Sequence, residues 1–186
     1  SDIRATGPKV WNNWKGQLLE RLYHASLAAL GGSAPTRSSV LAMRKAAALD
    51  LAESEGVPRE ACLGLWERLD VAYFLRHTPE DIAWHAAELS RWRRGTPFLV
   101  RARAAPGLSG VEVLVCAQDR QGLFAMLVAS LQRCRMSILD ARVHTTRDGL
   151  ALDTFLVTDL GMRPQLQEAF ECITAELSGA LSCARP

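Results

Sequence analysis

The chain has 186 residues, of which 48% are hydrophobic and 23% are charged, and its formal net charge is +2. This length fits one or two domains, and the hydrophobic fraction supplies a buried core and excludes a disordered chain. The charges also balance within each half, with 13 basic and 11 acidic residues in 1–95 and nine of each in 96–186. A weak, evenly spread charge argues against nucleic acid or an anionic membrane as the partner.

The sequence carries no signal for export or membrane insertion. No apolar run approaches the roughly 20 residues of a membrane-spanning helix, and the first ten residues, SDIRATGPKV, lack the apolar core of a signal peptide. The cysteines are odd in number and at least 11 positions apart, which predicts neither a disulfide framework nor a metal site. We therefore expect a cytoplasmic protein with no membrane partner and with reduced, mostly buried cysteines. They are Cys62, Cys116, Cys134, Cys172 and Cys183.

The first half of the chain, residues 1–95, has a helical pattern. Between residues 10 and 30, apolar side chains recur at spacings of three, four and seven or eight, which places them on one face of a helix that ends at a pair of glycines. A second helix is predicted to follow, capped by Ser38 or Ser39 and running to Gly56.

Two more helices are predicted before the pattern changes. A short one starts near Pro58. In the next, Thr78 is the expected N-cap, Pro79 takes the first helical position, and Asp81 completes a capping box. We expect this last helix to end at Gly95.

From residue 96 onward the apolar period becomes two, which is typical of strands. Two segments have a helical pattern instead. The first, QGLFAMLVASLQRC, lies between the second and third strand-like segments, and the other, RPQLQEAFECITAEL, follows the fourth. The order strand, strand, helix, strand, strand, helix predicts an antiparallel sheet with both helices on one face. The dipeptide Asp148-Gly149 suits a tight hairpin turn between the last two strands. The four strand-like segments are PFLVRARA, VEVLVCA, SILDARVHTT and GLALDTFLVTD.

No catalytic constellation can be assembled from the sequence at credible spacing. The segment GGSAPTRSS resembles the Gly-Ser loop of a nucleotidyltransferase, but it follows a helix and no Asp-x-Asp pair comes after it. The four histidines lack the spacing of a metal site, so capping or interface roles are expected for them. They are His24, His77, His85 and His144. This chain by itself is not expected to be a catalyst or to hold a cofactor.

A basic segment, SRWRRG, leaves a nucleic-acid interpretation open. Arg91, Arg93 and Arg94 flank Trp92, which could form a patch for phosphate contact and base stacking. Cations in the last turn of a helix are also what the helix dipole favours, and that interpretation fits the balanced charge better.

The strand-to-helix junction AQDRQGLFAM is the strongest candidate for a binding site. The first N–H groups of a helix have no partner within it, and Gly122 lets a ligand approach the backbone, so a carboxylate fits there. Asp119 supplies the opposite kind of group and can accept from an ammonium or an amide. An amino acid carries both groups. The alternative is that Asp119 merely caps the helix and Gly122 merely fits the turn.

The chain resembles an ACT domain, a small βαββαβ module that binds amino acids. The resemblance begins at this junction and covers the segment DRQGLFAMLVASLQRCRMSILDARVHTTRDGLALDTFLVTD. Together with LDVAYFLRHTPEDIAWH and WNNWKGQLLERLY, the segment DARVHTTRDGLALDTF is similar to the bacterial bifunctional uridylyltransferase/uridylyl-removing enzymes that act on the nitrogen-signalling protein PII. The resemblance implies an α+β chain, with the end of a hydrolase domain and linker helices in 1–95 and a ferredoxin-like ACT domain in 96–186.

The same resemblance implies a regulatory function. Neither catalytic signature of the family is present, so Mg²⁺ is expected only in catalytic domains outside this chain. Glutamine is the implied effector and PII the implied partner of the longer enzyme. The implied amino-acid site consists of Asp119, Arg120, Gln121, Gly122 and Leu123, with Ser137 at the start of the next strand facing them. The alternative is an ACT module that mediates dimer or interdomain contacts and has no ligand.

The ACT pattern lacks its last strand, because the sequence stops at Pro186 just after the second helix. An unpaired sheet edge is a template for another strand. We therefore expect either that PFLVRARA pairs beside Val111–Ala117 or that two chains form a homodimer through that edge.

Overall fold

The computed structural model describes residues 22, 26, 36–92, 95–106, 110–159 and 166–183. The predicted helix over residues 10–30 lies outside this part, apart from two helical positions. The described helices are α1 (Arg37–Ser54), α2 (Arg59–Trp66), α3 (Val71–Arg76), α4 (Pro79–Arg91), α5 (Leu123–Arg133) and α6 (Leu166–Cys183). The strands are β1 (Phe98–Ala104), β2 (Val111–Gln118), β3 (Met136–Arg142) and β4 (Leu150–Asp159). None of the described helices is long and apolar enough to cross a membrane.

The start of α1 corrects the predicted cap. Thr36, rather than Ser38 or Ser39, is the N-cap, and its side chain accepts from the Ser39 amide at 3.1 Å. Thr36 has the extended backbone of a cap residue, and Ser39 Oγ donates back to the Thr36 carbonyl at 2.9 Å. Ser39 is therefore inside the first turn as the donor, and α1 ends at Ser54 rather than Gly56.

The capping box of α4 is confirmed. Thr78 accepts from the Asp81 amide and the Asp81 carboxylate accepts from the Thr78 amide, with Pro79 in the first turn. The helix ends at Arg91, earlier than predicted, because Trp92 has an extended backbone and turns the chain toward the sheet.

Helix α3 has no counterpart among the sequence predictions. Its six residues are too few to show a helical period. Asp70 caps it by accepting from the Tyr73 amide at 2.9 Å. At the other end, the Arg44 guanidinium donates to the carbonyls of Phe74, Leu75 and His77 at 2.8–3.1 Å. A side chain of α1 thus satisfies the carbonyl groups that a helix of this length leaves without partners.

The four strands form one antiparallel sheet in the order β1-β2-β4-β3. Strand β1 pairs with β2 from Phe98 opposite Ala117 to Ala104 opposite Val111. The structure therefore has the first of the two expected arrangements, in which PFLVRARA pairs beside Val111–Ala117 within one chain. A strand that precedes the module takes the edge position beside its first strand, and the ferredoxin-like arrangement is complete within the chain.

Both faces of the sheet are covered by helices. On one face, Val113 and Val115 of β2 pack in a core with α5 and α6, as predicted. On the other face, Leu114 and Cys116 pack in a second core with α1, α2, α3 and α4. Strand β2 lies between these cores, and all its residues but Gln118 are buried. An antiparallel strand buried on both faces loses the alternation of apolar and polar residues, which explains the continuous run VEVLVCA.

A pair of Gly→Ala substitutions tests this packing. A Cβ built on Gly110 would lie 2.8 Å from the Val157 carbonyl oxygen, whereas one built on Gly179 in α6 meets nothing within 4 Å. We expect Gly110→Ala to lower the free energy of unfolding by about 1–3 kcal/mol, since backbone must move to admit it. Gly179→Ala should raise it by about 0.5–1 kcal/mol. Urea unfolding of both variants measures the difference, and equal effects would contradict the described packing.

Candidate functional site

The predicted loop lies where β2 ends and α5 begins. Gly122 is the N-cap residue of α5 and has a left-handed backbone with φ of +80°, so glycine is required there for conformational reasons. The Leu123 amide donates to the Arg120 carbonyl at 3.2 Å, which closes a tight turn. Leu123 is buried under the helix, whereas Asp119 and Gln121 are exposed.

No side chain caps the N-terminus of α5. The N-cap residue is Gly122 rather than Asp119. The Asp119 carboxylate instead accepts from Thr145 Oγ1 at 2.9 Å, and the Asp119 amide donates to the Gly149 carbonyl at 3.0 Å. Gln118 Nε2 donates to the same carbonyl at 2.9 Å. The backbone donors of the first turn of α5 and an exposed carboxylate thus stand at one junction, as an amino acid ligand requires.

The segment 145–150 that holds Asp119 is the turn between β3 and β4, and we call it the hairpin. Gly149 has φ of +79°, as the dipeptide Asp148-Gly149 predicted. Thr146 closes the turn, because its amide donates to the Leu150 carbonyl at 2.7 Å and its hydroxyl accepts from the Leu150 amide at 2.9 Å.

The hairpin also contacts the helical part of the chain. The Arg147 amide donates to the Arg68 carbonyl at 3.0 Å, and Arg68 Nε donates to Asp148 Oδ1 at 2.9 Å. Arg68 lies between α2 and α3. The hairpin thus connects the candidate loop to the helices through these hydrogen bonds. The sequence does not predict this connection, because the bonded residues are about 80 positions apart.

Ser137 is not brought to the loop within one chain. It pairs with Thr158 near the end of β4, whereas Gln118, next to the loop, pairs with Leu150 at the start of β4. Eight residues of strand separate these positions by about 26 Å. The reason is that α5 runs back along the sheet, so the strand after it starts at the opposite end. The expected position of Ser137, facing the loop, is therefore corrected.

Asp153 is a buried carboxyl group that the sequence analysis missed. It shares a face of β4 with Ala151 and Phe155, which pack under α5, and it is only 2% exposed. Its Oδ1 atom has no hydrogen-bond partner. Burial, opposed by a hydrogen bond from the His144 backbone and helped by the charge of Asp119, raises the pKa of Asp153 to about 6. An acidic residue in a strand of alternating pattern usually indicates a solvent-facing position. The sequence pattern therefore gives no sign that Asp153 is buried.

A second polar cluster lies between the sheet and the helical layer. Asp81, at the start of α4, accepts from Arg103 of β1 at 2.7 Å and from Arg142 of β3 at 3.0 Å. Arg103 Nε also donates to Glu112 of β2 at 2.7 Å. Burial, together with the charge of Asp81, raises the pKa of Glu112 despite Arg103. The capping box of α4 is thus joined to both outer strands of the sheet.

His77, His85 and His144 lie at this interface, which is one of the two roles expected for the histidines, and His24 lies outside the described residues. His85 Nδ1 and the Tyr73 hydroxyl are 2.7 Å apart, and His77 Nδ1 lies 2.9 Å from the Tyr73 carbonyl. The rings of His77 and His144 are in contact, with centroids 5.2 Å apart. Burial lowers the pKa of His77 to about 4 and that of His85 well below the usual value. No group of His, Cys, Asp and Glu in the described part of the chain could hold a metal ion.

Comparison with known proteins agrees with the resemblance read from the sequence. Residues 36–88 match the family model described as the fifth domain of the uridylyltransferase GlnD. Over all 186 residues the chain is 46% identical to the bifunctional uridylyltransferase/uridylyl-removing enzymes of Burkholderia thailandensis, Burkholderia mallei and Burkholderia pseudomallei. It covers 22% of the length of each of these relatives. No solved structure matches the chain.

The raised pKa of Asp153 predicts a pH-dependent effect of Asp153→Asn. The unfolded pKa is about 3.9, so the folded state holds the proton more tightly. The cost in stability therefore builds up as pH rises from about 4 toward about 6, and it is fully present above the folded pKa. The variant should therefore be more stable than the wild type at pH 8, by on the order of 3 kcal/mol at most, and equally stable near pH 4. Urea unfolding of both proteins at pH 4.5, 6 and 8 tests this. A stability difference that does not change with pH would refute it.

Proposed function

We propose that this chain is the amino-acid-sensing segment of a bifunctional uridylyltransferase/uridylyl-removing enzyme, and that its ligand is glutamine. The observation that carries the proposal is the junction at Asp119–Leu123. There the uncapped N-terminus of α5 follows a left-handed glycine and lies beside an exposed carboxylate. A free amino acid presents its carboxylate to such backbone donors and its ammonium to such an acceptor. Glutamine is the amino acid that the family resemblance implies, and the geometry of the junction supports an amino acid in general.

The residues that would contact the ligand have separate roles. The amides after Gly122 would donate to the ligand carboxylate, and Asp119 would accept from its ammonium. Gln121 is exposed in the same turn and would offer a side-chain amide to the ligand side chain. Arg120 would add positive charge, and the buried Leu123 would fix the helix start. Ser137 would belong to a ligand site only if a second domain or chain brought that end of the sheet to the loop.

The rest of the proposed function concerns the longer enzyme. Its signalling partner would be PII in the cytoplasm, with high glutamine favouring removal of uridylyl groups from PII and low glutamine favouring their addition. Mg²⁺ would belong to its catalytic domains, as the family resemblance implies. The ligand signal would leave the loop through the hairpin, which contacts both Asp119 and Arg68.

A second candidate function is a pairing module without a ligand. Strand β3 is the last strand of the sheet, so one of its edges is not paired within the described chain. Val143, which follows β3, and Phe124, whose ring stacks on Phe155 of β4, are each 44% exposed, which is high for large apolar side chains. A homodimer or a contact with a further domain through this edge would cover them.

Calorimetric titration with glutamine distinguishes the two candidates. We expect saturable heat with glutamine and none with alanine, and at least a tenfold weaker affinity in Asp119→Asn, because the variant loses a charged acceptor for the ligand ammonium. Asp50→Asn, a change of one exposed carboxylate in α1, is the matched control and should bind as the wild type does. A folded chain that gives no heat and sediments as a dimer would favour the pairing module.

Hydrogen exchange tests the proposed path from the loop to the helices. Glutamine should slow exchange severalfold in a peptide covering the turn between α2 and α3, because the hairpin that holds Asp119 also bonds to Arg68. Asp148→Asn removes the ion pair with Arg68, and it should reduce this distant protection while the loop itself stays protected. If protection of the helical turn were unchanged in the variant, the hairpin would not be the path.

A further inference from the structure

A pair of cysteines lies between α5 and α6, the two helices that cover one face of the sheet. Cys134 follows the last residue of α5, and Cys172 lies in the middle of α6. Their sulfur atoms are 3.0 Å apart, and the Cys134 thiol also lies 3.4 Å from the Cys172 carbonyl oxygen. A disulfide bond is about 2.05 Å long, so the sulfur atoms must approach by only about 1 Å to form one.

The surrounding contacts hold the pair in register. Arg133, next to Cys134, forms an ion pair with Glu176, one helical turn after Cys172. Arg133 also donates to Ser130 Oγ at 2.8 Å, and the Cys134 amide donates to the Ser130 carbonyl at 3.1 Å. The ion pair therefore links the end of α5 to α6 one helical turn from the two sulfur atoms, and the bonds to Ser130 order the last turn of α5 itself.

The two cysteines also differ in access. Cys134 is 2% exposed, whereas Cys172 is half-buried. Cys172 is therefore the more accessible member of the pair, and the sulfur of Cys134 lies within 3.0 Å of the Cys172 sulfur. The other described cysteines lack this arrangement. Burial raises the pKa of Cys62 and raises that of Cys116 to about 12, which suppresses their thiolates.

We propose that Cys134 and Cys172 are an oxidation site at which hydrogen peroxide forms an intramolecular disulfide that joins α5 to α6. The Cys172 sulfur takes one oxygen from peroxide as the O–O bond breaks, giving a sulfenic acid and water. The Cys134 sulfur then attacks the Cys172 sulfur, the S–S bond forms, and a second water leaves with the Cys134 proton. Two thiols lose two electrons and one peroxide becomes two waters. This proposal does not depend on glutamine binding.

The test is peroxide treatment of the folded chain in a Cys183→Ser background, which removes the exposed thiol. We expect the loss of two thiols, a mass decrease of about 2 Da, and a peptide that links residues 134 and 172 until a reductant is added. Closing a loop of this length should also raise Tm by several degrees. The shift should disappear on reduction.

Two variants make the test specific. Cys172→Ser, at a half-buried position, should abolish the mass decrease, whereas Cys116→Ser should leave it unchanged because that thiol lies in the other core. Circular dichroism of each variant confirms that it is folded. Addition of oxygen atoms to Cys172 without a cross-linked peptide would overturn the proposal. A cross-link that forms equally well in urea would also overturn it, since the fold would then not place the two sulfur atoms together.

Discussion

The antiparallel pairing of β1 with β2 is the constraint on which the rest of the structure depends. It occupies the edge that the βαββα order leaves open, and it makes β2 an interior strand. Because β1 follows α4 closely, the same pairing brings the helices onto the second face of the sheet. Leu99 of β1, Leu114 of β2 and Leu152 of β4 then share one core with helical residues such as Phe74 and Ile82. Without that pairing, both the edge and this face would be exposed.

Covering the second face has an electrostatic consequence. Asp81, Arg103, Arg142 and Glu112 lie at the interface with little solvent around them, and the ion pairs among them compensate their charges. Such buried groups add little net stability, but losing one partner leaves a desolvated charge at a cost of about 3–5 kcal/mol. The main effect of the cluster is therefore on the position of the helical layer rather than on the free energy of unfolding. The observed alignment of α4 with β1 and β3 pairs all four side chains, and a shift of α4 would break the ion pairs of Asp81.

What the sequence predicts well is local. The capping box at Thr78 and Asp81 and the turn at Asp148-Gly149 depend on residues within four positions, and both are confirmed. The apolar periods also give the sheet, its two helices and the covering of one face. These features follow from short-range backbone preferences, which a single sequence contains.

What the sequence does not reveal depends on distant partners. Helix α3 is short and is stabilised by Arg44 of α1, about 30 positions earlier in the chain. The burial of Asp153 depends on α5 lying over β4, and the displacement of Ser137 depends on the direction of α5. The candidate loop was found because Gly122 and the helix start are local. Its link to Arg68 was not found, because that link needs the whole fold.

The contacts around the loop differ in strength, and the difference indicates which part can move. The ion pair of Arg68 with Asp148 and the hydrogen bond of Thr145 with Asp119 are exposed, and such contacts contribute about 0.2–1.5 kcal/mol each. The Asp81 cluster is buried and costs several times more to break. Allosteric couplings are typically about 1–3 kcal/mol, which can rearrange the hairpin but not separate the layers. A ligand at the loop would therefore act by shifting the hairpin while the buried contacts between the sheet and the helical layer stay intact.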